Sequence, residues 1–294
     1  MNFLHYPVMN KEVVAAFRGT GKLLFIDCTV GEGGHSHHIL SQIPGSRVIA
    51  LDIDPESIEH ARINLSEFAS RISFHQGDFI RFAEEIPVPS GEVGGVLVDP
   101  GISMAQLKDP ERGFSHQGEG RLDMRKDKRT PLTAEEIVNT FPQERLAEIF
   151  RQYGDIRNAQ AVAKRIIERR LFQPIRTTGD LRVLIETVCR WRARKGELHP
   201  AARVFQALRI FINREIEDLD SWLRAIPRWL EAGARVVFLT YHSLEDRLVK
   251  QAFRFLKQNG EIRFLAPYPA FPAADEVRLN PPSRSAKMRA VEVA

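Results

Sequence analysis

The stretch DCTVGEGGHSHHIL, residues 27–40, joins an apolar run, KLLFIDCT, to a helix-like run, HSHHILSQI, through a turn with three glycines. A glycine-rich turn between a strand and a helix brings backbone N–H groups and a helix N-terminus against whatever it binds. Three occupants compete for it: the phosphates of a dinucleotide, a metal on His35, His37 and His38, or a cofactor without phosphate. Outward from this turn the same rhythm continues. RVIALDID, ISFHQGDF and GGVLVDPG are further short apolar runs ending in acids, and PESIEHARINLSEFA carries Ile58, Ala61, Ile63, Leu65 and Phe68 at amphipathic spacing behind Pro55. The order β-α-β-α-β-β predicts an α/β fold with a parallel sheet covered on both faces, whose ligands bind at the carboxyl ends of the strands.

The charges around the turn discriminate among its occupants. Gly31-x-Gly33 is followed by Ser36, so the dinucleotide pattern lacks its third glycine. Asp52, at the end of the second strand, suits ribose hydroxyls of any adenosine cofactor. Asp27 and Glu32 would repel a pyrophosphate and attract the ammonium and sulfonium of S-adenosylmethionine, at ~1 to 4 kcal/mol per unit charge pair near 4 Å. The charge pattern therefore favours S-adenosylmethionine. No Cys or Asp partner accompanies the three histidines at ligand spacing, and no metal is expected.

Two more strand ends lie on the same edge. Asp99 closes VLVDPGIS, and its Asp-Pro resembles the loops with which amino-directed methyltransferases hold an exocyclic NH2. Such an amine delocalises its lone pair into the ring, so attack on a methyl group needs acceptors for its N–H bonds. In TYHSLEDR, Tyr241 could stack on a flipped base and His242 is a candidate catalytic group; the ordinary alternative for each strand-end residue is a capping or structural role.

Bulk properties limit the function classes. The 294 residues are 43% hydrophobic and 27% charged, an ordinary soluble composition. MNFLHYPVMNKEVV lacks the basic flank and apolar run of a signal peptide, so a cytoplasmic chain without membrane contact is expected. Cys28 and Cys189 are distant and form no CxxC pair. Residues 105–200 hold 20 Lys/Arg and 14 Asp/Glu, whereas the whole chain is +4, so the basic surplus is central. That fits a nucleic-acid surface and equally a solvated helical face.

The central region breaks the alternation. Beyond a polar stretch from Leu107 to Asp127 come helical patterns such as ERLAEIFRQYG, NAQAVAKRIIERRLF and TGDLRVLIETVCRW, and then a long helical stretch over 201–233 before the strand ARVVFLTYHS. The expected organisation is a first methyltransferase segment at 1–104, a helical insertion at 105–200 that recognises RNA, and a second segment at 201–294. Two edge strands, EIRFL and AKMRAVEV, frame a proline-rich loop. The loop GRLDMRKDKR, residues 120–129, has five basic residues against two acids. It is expected to clamp phosphates, unless Arg125 pairs with Asp123 or Asp127 instead.

GEGGHS, DPERGFS, LDMR, HPAARVFQALRIFINREI, YHSLEDR and NPPSRSAKMRAVE together resemble the bacterial small-subunit ribosomal RNA cytosine-N4 methyltransferases, the RsmH/MraW family, from about Tyr6 to Glu292. The resemblance implies a Rossmann-like class I S-adenosylmethionine methyltransferase with an inserted α-helical domain, acting on a cytosine N4 in the decoding region of 16S rRNA. Partners are then 16S rRNA or the small ribosomal subunit; a homodimer is left open. Carried over by motif, Gly33, Gly34, His35, Asp52, Phe79, Asp99 and Gln106 contact the cofactor; by their places at strand ends and in the basic loop, Asp99 and His242 are the catalytic candidates and Arg121, Asp123, Arg125 and Tyr241 the substrate-side ones. Pro100, His116, Arg121 and Pro282 depart from the usual Leu, Phe, Pro and Arg, and the changes at 116–121 bear on the RNA-side contacts. The rivals are an N4-cytosine or N6-adenine DNA methyltransferase, a non-catalytic RNA-binding assembly factor, and an NAD dehydrogenase, the last opposed by Glu32 and Ser36.

Overall fold

The computed structural model describes residues 6–85, 90–189, 199–217 and 219–294. It divides into two compact units, one of Met1–Ser103 with Ile216–Ala294 and one of Met104–Glu215. The second unit ends fifteen residues beyond the boundary expected at 200.

The first unit is built on a seven-stranded sheet. Its first half holds α1 (Asn10–Phe17), β1 (Leu24–Asp27), α2 (Gly34–Gln42), β2 (Arg47–Asp52), α3 (Pro55–Asn64), β3 (Ile72–Gln76), α4 (Phe79–Glu85) and β4 (Val93–Val98). The sheet order is β3-β2-β1-β4, then β5 (Arg235–Thr240), β7 (Lys287–Val293) and β6 (Ile262–Phe264). The first five strands are parallel, and β7 runs antiparallel to both of its neighbours. Of the two expected edge strands only β6 lies at the edge, because β7 pairs with β5 along six residues. The rhythm also contains a helix not expected, α4, between the third and fourth strands.

Strand side chains alternate between two cores, as the two-residue period of a strand demands. Leu24, Ile26, Val96, Val98, Val236 and Phe238 face one, and Phe25, Leu97, Val237 and Leu239 the other. Parallel strands buried on both faces explain why these runs are continuously apolar in sequence. Gly95 has no Cβ because the Phe17 ring of α1 lies where one would stand.

The second unit is helical: α5 (Met104–Lys108), α6 (Ala134–Thr140), α7 (Gln143–Gly154), α8 (Ala159–Arg170), α9 (Thr178–Cys189) and α10 (Pro200–Ile212). A capping box between Thr133 and Glu136 starts α6, and His199 with Pro200 starts α10. Leu146, Ile149 and Phe150 give α7 one buried stripe. The last two residues of the expected helix TGDLRVLIETVCRW lie outside the described residues.

The helical stretch expected over 201–233 is two helices, α10 and then α11 (Leu219–Trp229) in the first unit. Asn213 ends α10, and Arg214 takes a left-handed conformation at φ 51°. The remaining helices of the first unit are α12 (Ser243–Gln258) and α13 (Ala274–Leu279). Among the described residues no helix is long and apolar enough to cross a membrane.

Candidate active site on the carboxyl edge of the sheet

Asp27 ends β1 fully inside the protein, and its Oδ2 accepts a 2.7 Å hydrogen bond from the Ser36 hydroxyl on α2. Burial raises its pKa, opposed by the Ser36 bond and the neighbouring His35. Ser36, the residue that breaks the dinucleotide glycine pattern, is thus the partner this buried acid requires. Between them the turn reverses through Gly31 and Gly33, at φ 52° and 93°. A Cβ on Gly33 would stand 2.7 Å from Leu65, so both its conformation and its packing require glycine.

Asp52 ends β2 beside this turn. Its Oδ2 accepts the Gly31 N–H at 2.9 Å and its Oδ1 the Asp54 N–H at 3.0 Å, so the carboxylate shapes the turn as well as facing the strand end. After β3, Asp78 Oδ1 accepts the Ile80 N–H at 3.0 Å and starts α4. The Phe79 ring is then fixed edge-on against Trp222 of α11, with centroids 5.1 Å apart. Trp222 was not picked out by sequence reasoning, since an isolated tryptophan in an amphipathic helix carries no signal of its partner.

The fourth and fifth strand ends meet. The Tyr241 hydroxyl donates to Asp99 Oδ1 at 2.6 Å, His35 Nε2 stands 3.3 Å from Asp99 Oδ2, and the Asp99 N–H donates to Thr29 Oγ1 at 2.7 Å. Two segments distant in sequence, the glycine turn and the end of β5, therefore converge on Asp99. Burial, then the Asp99 charge, pushes the Tyr241 phenol well above its usual value, so it stays a hydrogen-bond donor. His242 caps α12: its Nδ1 accepts the Glu245 N–H at 3.3 Å, while Glu245 Oε2 accepts the Tyr241 N–H at 3.0 Å. The remaining YHSLEDR acid, Asp246, accepts from Lys287 and Arg289 of β7, each at 2.9 Å, and so ties α12 to the sheet.

The donor set suits a cationic adenosine cofactor. Asp27, Glu32, Asp52 and Asp99 line the strand ends, and Glu32 Oε1 is buried without a hydrogen-bond partner among the described residues. An orphaned carboxylate oxygen is costly unless a donor meets it, and an ammonium group would meet it where a pyrophosphate would not. Among the described residues no cluster of His, Cys, Asp and Glu could hold a metal ion.

Gln106, Arg121, Asp123 and Arg125 belong to the second unit. Gln106 is buried on α5 and Arg121 is exposed. The basic loop expected to clamp phosphates is closed on itself. Arg125 donates to both Asp123 oxygens at 2.8 Å and to the carbonyls of Lys128 and Thr130, while Arg129 pairs with Asp127 at 2.8 Å. Lys126 Nζ lies 3.1 Å from Glu215 Oε1, and Arg209 reaches Glu215 Oε2 at 2.9 Å. Asn213 completes the tie by donating to the Met124 carbonyl and accepting the Lys126 N–H. LDMR and the FINRE end of α10 are therefore two halves of one structural knot. Burial opposes ionisation of Glu215, but Arg209 and Lys126 outweigh it and hold the carboxyl down at about 2.

The MraW methylase family matches residues 2–294 of this chain. Ribosomal RNA small subunit methyltransferase H of Cyanothece sp. is 41% identical over 287 residues, covering 98% of this chain and 94% of that protein. The protein of the same name from Thermotoga neapolitana is 39% identical over 297 residues, covering 98% and 96%. Among solved structures, an rRNA methylase from Streptococcus thermophilus aligns over 99% of each chain at 9% identity, with a TM-score of 0.42. A match along almost the whole sequence, over a strand edge built for a cationic cofactor, means that this chain belongs to the MraW methylase family and is an S-adenosylmethionine-dependent methyltransferase of the class I α/β fold.

Proposed function

We propose that this chain methylates the N4 amine of a cytosine in the decoding region of 16S rRNA, in the bacterial cytoplasm where the small ribosomal subunit is made. The observation that carries the reading is the Asp99 carboxylate, oriented by Tyr241 and His35 at the end of β4. S-adenosylmethionine, when bound, supplies an electrophilic methyl group on a sulfonium. The glycine turn with Gly33, Gly34 and His35, the Asp52 carboxylate and the Phe79 ring are the residues that would hold it, with Glu32 toward its ammonium; Gln106 of the second unit is a further expected contact.

Asp99 accepts the N4 hydrogens of the cytosine, localising the amine lone pair at nitrogen and balancing the positive charge that develops there. The Tyr241 hydroxyl fixes the orientation of that carboxylate. His242, whose Nδ1 caps α12, acts in this reading as a positioning residue for Tyr241 rather than as a base. Arg121 is the exposed substrate-side cation, whereas the Asp123–Arg125 pair holds the loop that carries it.

Mass spectrometry of 16S rRNA nucleosides from a deletion strain is the direct test, with loss of N4-methylated cytidine expected. Purified chain should also transfer tritium from labelled S-adenosylmethionine to small-subunit rRNA and not to DNA. Retention of the modified nucleoside in the deletion strain would end this reading.

A further inference from the structure

We propose that the cleft between α8 and α9 binds an unpaired segment of the ribosomal RNA, with Arg165, Arg169 and Arg182 on its phosphates and Phe172 stacked on a base. The inference deepens the rRNA reading above and rests on it. The cleft has a volume of about 360 Å³ and is lined by the three arginines together with Glu119 and Asp180.

The two acids are engaged inside the unit. Asp180 Oδ2 accepts the N–H groups of Arg176 and Thr177 at 3.1 and 3.2 Å. Glu119 fits against the start of α9 where Gly179 has no Cβ, so its charge faces a helix N-terminus. Arg165 and Arg182 are less committed. Arg182 Nε is buried with no hydrogen-bond partner and stands 3.8 Å from Glu186, too far for a hydrogen bond. Among the described residues Arg165 pairs with Glu168, at 3.2 Å on the surface. The Arg165 and Arg182 side chains are 49% and 34% exposed, and guanidinium groups left open in this way are what an anionic oxygen can meet. Over residues 159–187 six Lys and Arg outnumber three Asp and Glu.

The second observation is an aromatic ring. Phe172 is 90% exposed in the turn after α8, where burial would ordinarily place so large an apolar group. The turn is held in place: the Phe172 N–H donates to the Arg169 carbonyl at 3.1 Å, and the Arg169 guanidinium donates to the carbonyl and side chain of Gln173 at 3.2 and 2.9 Å. An exposed ring on a fixed turn, next to arginines four residues apart on one helix, is the pairing that single-stranded RNA uses, with bases on rings and phosphates on cations. Leu171 beside the ring and Val183 in the cleft are exposed as well, so a protein partner is the competing occupant, and the salt dependence and the F172A result below separate it from RNA.

The test uses the full chain and a 16S rRNA transcript that contains the decoding region. Phe172→Ala should weaken binding about tenfold, and Phe172→Trp should restore it, because stacking tolerates any large ring. An R165Q/R182Q double variant should lower the slope of log affinity against log salt by about 1.4, the effect of two single-strand phosphate contacts. Affinity for S-adenosylhomocysteine should be unchanged in all three. Wild-type affinity in F172A, or a change of sedimentation state in F172A without loss of RNA affinity, would overturn the proposal; the latter would assign the ring to contact between copies. A wild-type chain that transfers no methyl group to rRNA would sink the rRNA reading itself. Transfer by the wild type with unaltered binding by F172A would sink only this surface.

Discussion

The carboxylates of the sheet edge and those of the loop at residues 120–130 both lie in short stretches that carry acids at close spacing, yet their surroundings differ. At the sheet edge Asp99 meets a phenol and an imidazole, and Glu32 keeps an oxygen with no partner among the described residues. In the loop and at the end of α10 tied to it, each carboxylate is met by a full cation: Asp123 by Arg125, Asp127 by Arg129, Glu215 by Arg209 and Lys126. An acid matched by cations of the same chain stabilises the fold, and an acid left with spare acceptor capacity is available to a ligand. Local charge density does not distinguish them; the identity of the partner does.

The largest effect expected from this contrast is on stability. Glu215→Gln leaves Arg209 and Lys126 without their shared carboxylate in a buried site, and breaking such a group costs about 3 to 5 kcal/mol. Chemical denaturation followed by the helical signal should show it. Acid should act in the same direction. The folded carboxyl titrates at about 2, below its unfolded value near 4.5. Its stabilisation is therefore complete above about pH 4.5 and is lost as pH falls toward 2, on the order of 3 kcal/mol in all. A Glu215→Gln variant that loses as much stability to acid as the wild type over that window would show that Glu215 is not the responsible group.

Next in size is the chemistry. Asp99→Asn keeps the shape of the strand end but removes the charge that Tyr241 orients, and single-turnover methyl transfer at saturating cofactor should slow by about 100- to 1,000-fold. Stability should change little, since the described partners of the Asp99 carboxylate are the Tyr241 hydroxyl and the His35 ring rather than an Arg or Lys. A wild-type rate would remove Asp99 from the reaction, and an Asp99→Asn chain as unstable as Glu215→Gln would erase the distinction between the two regions.

How much of this was legible follows from the range of each interaction. Strand runs, the glycine turn and Asp52 are local patterns, and the parallel sheet followed from them. Ser36 was legible too, but as a missing glycine; its role appears only when α2 folds back over Asp27. The break after Ile212 is invisible to periodicity because Asn213 ends α10 through bonds to Met124 and Lys126, 89 and 87 residues away. The internal pairing of the basic loop at residues 120–129 was hidden for the same reason. Arg125 could be counted, but its bonds to Asp123, Lys128 and Thr130 depend on the left-handed turn at Met124. The meeting of Asp99 with Tyr241 across 142 residues depends on β4 and β5 being neighbours.

A moderate effect is expected at Asp52. Its carboxylate already accepts two backbone N–H groups, so Asp52→Asn should disturb the Gly31 turn as well as any bond to the cofactor. Charge-assisted bonds of this kind are worth about 1.5 to 3 kcal/mol each, and calorimetry should show S-adenosylhomocysteine binding weakened by at least tenfold. Unchanged affinity would mean that Asp52 only shapes the turn, placing it with the loop carboxylates rather than with Asp99.

The smallest effect is expected where the sequence is most basic. Arg129 is the most exposed cation of the loop whose pairing is described, yet its guanidinium already lies against both Asp127 oxygens, and Asp127 also accepts the Arg129 N–H at 2.8 Å. A phosphate would have to displace a carboxylate fixed two residues away, exchanging one charge-assisted bond for another with little net gain. Arg129→Ala should therefore bind the 16S rRNA transcript with the wild-type dependence on salt, while R165Q/R182Q, in the cleft with an unpartnered guanidinium N–H, flattens it. Removing a cation from one phosphate of a single strand lowers that slope by about 0.7, which titration across salt concentrations resolves. If Arg129→Ala lowers the slope by that amount and the cleft variant does not, the loop is the phosphate clamp after all, and the rule that cations paired within the chain are closed to RNA fails in this protein.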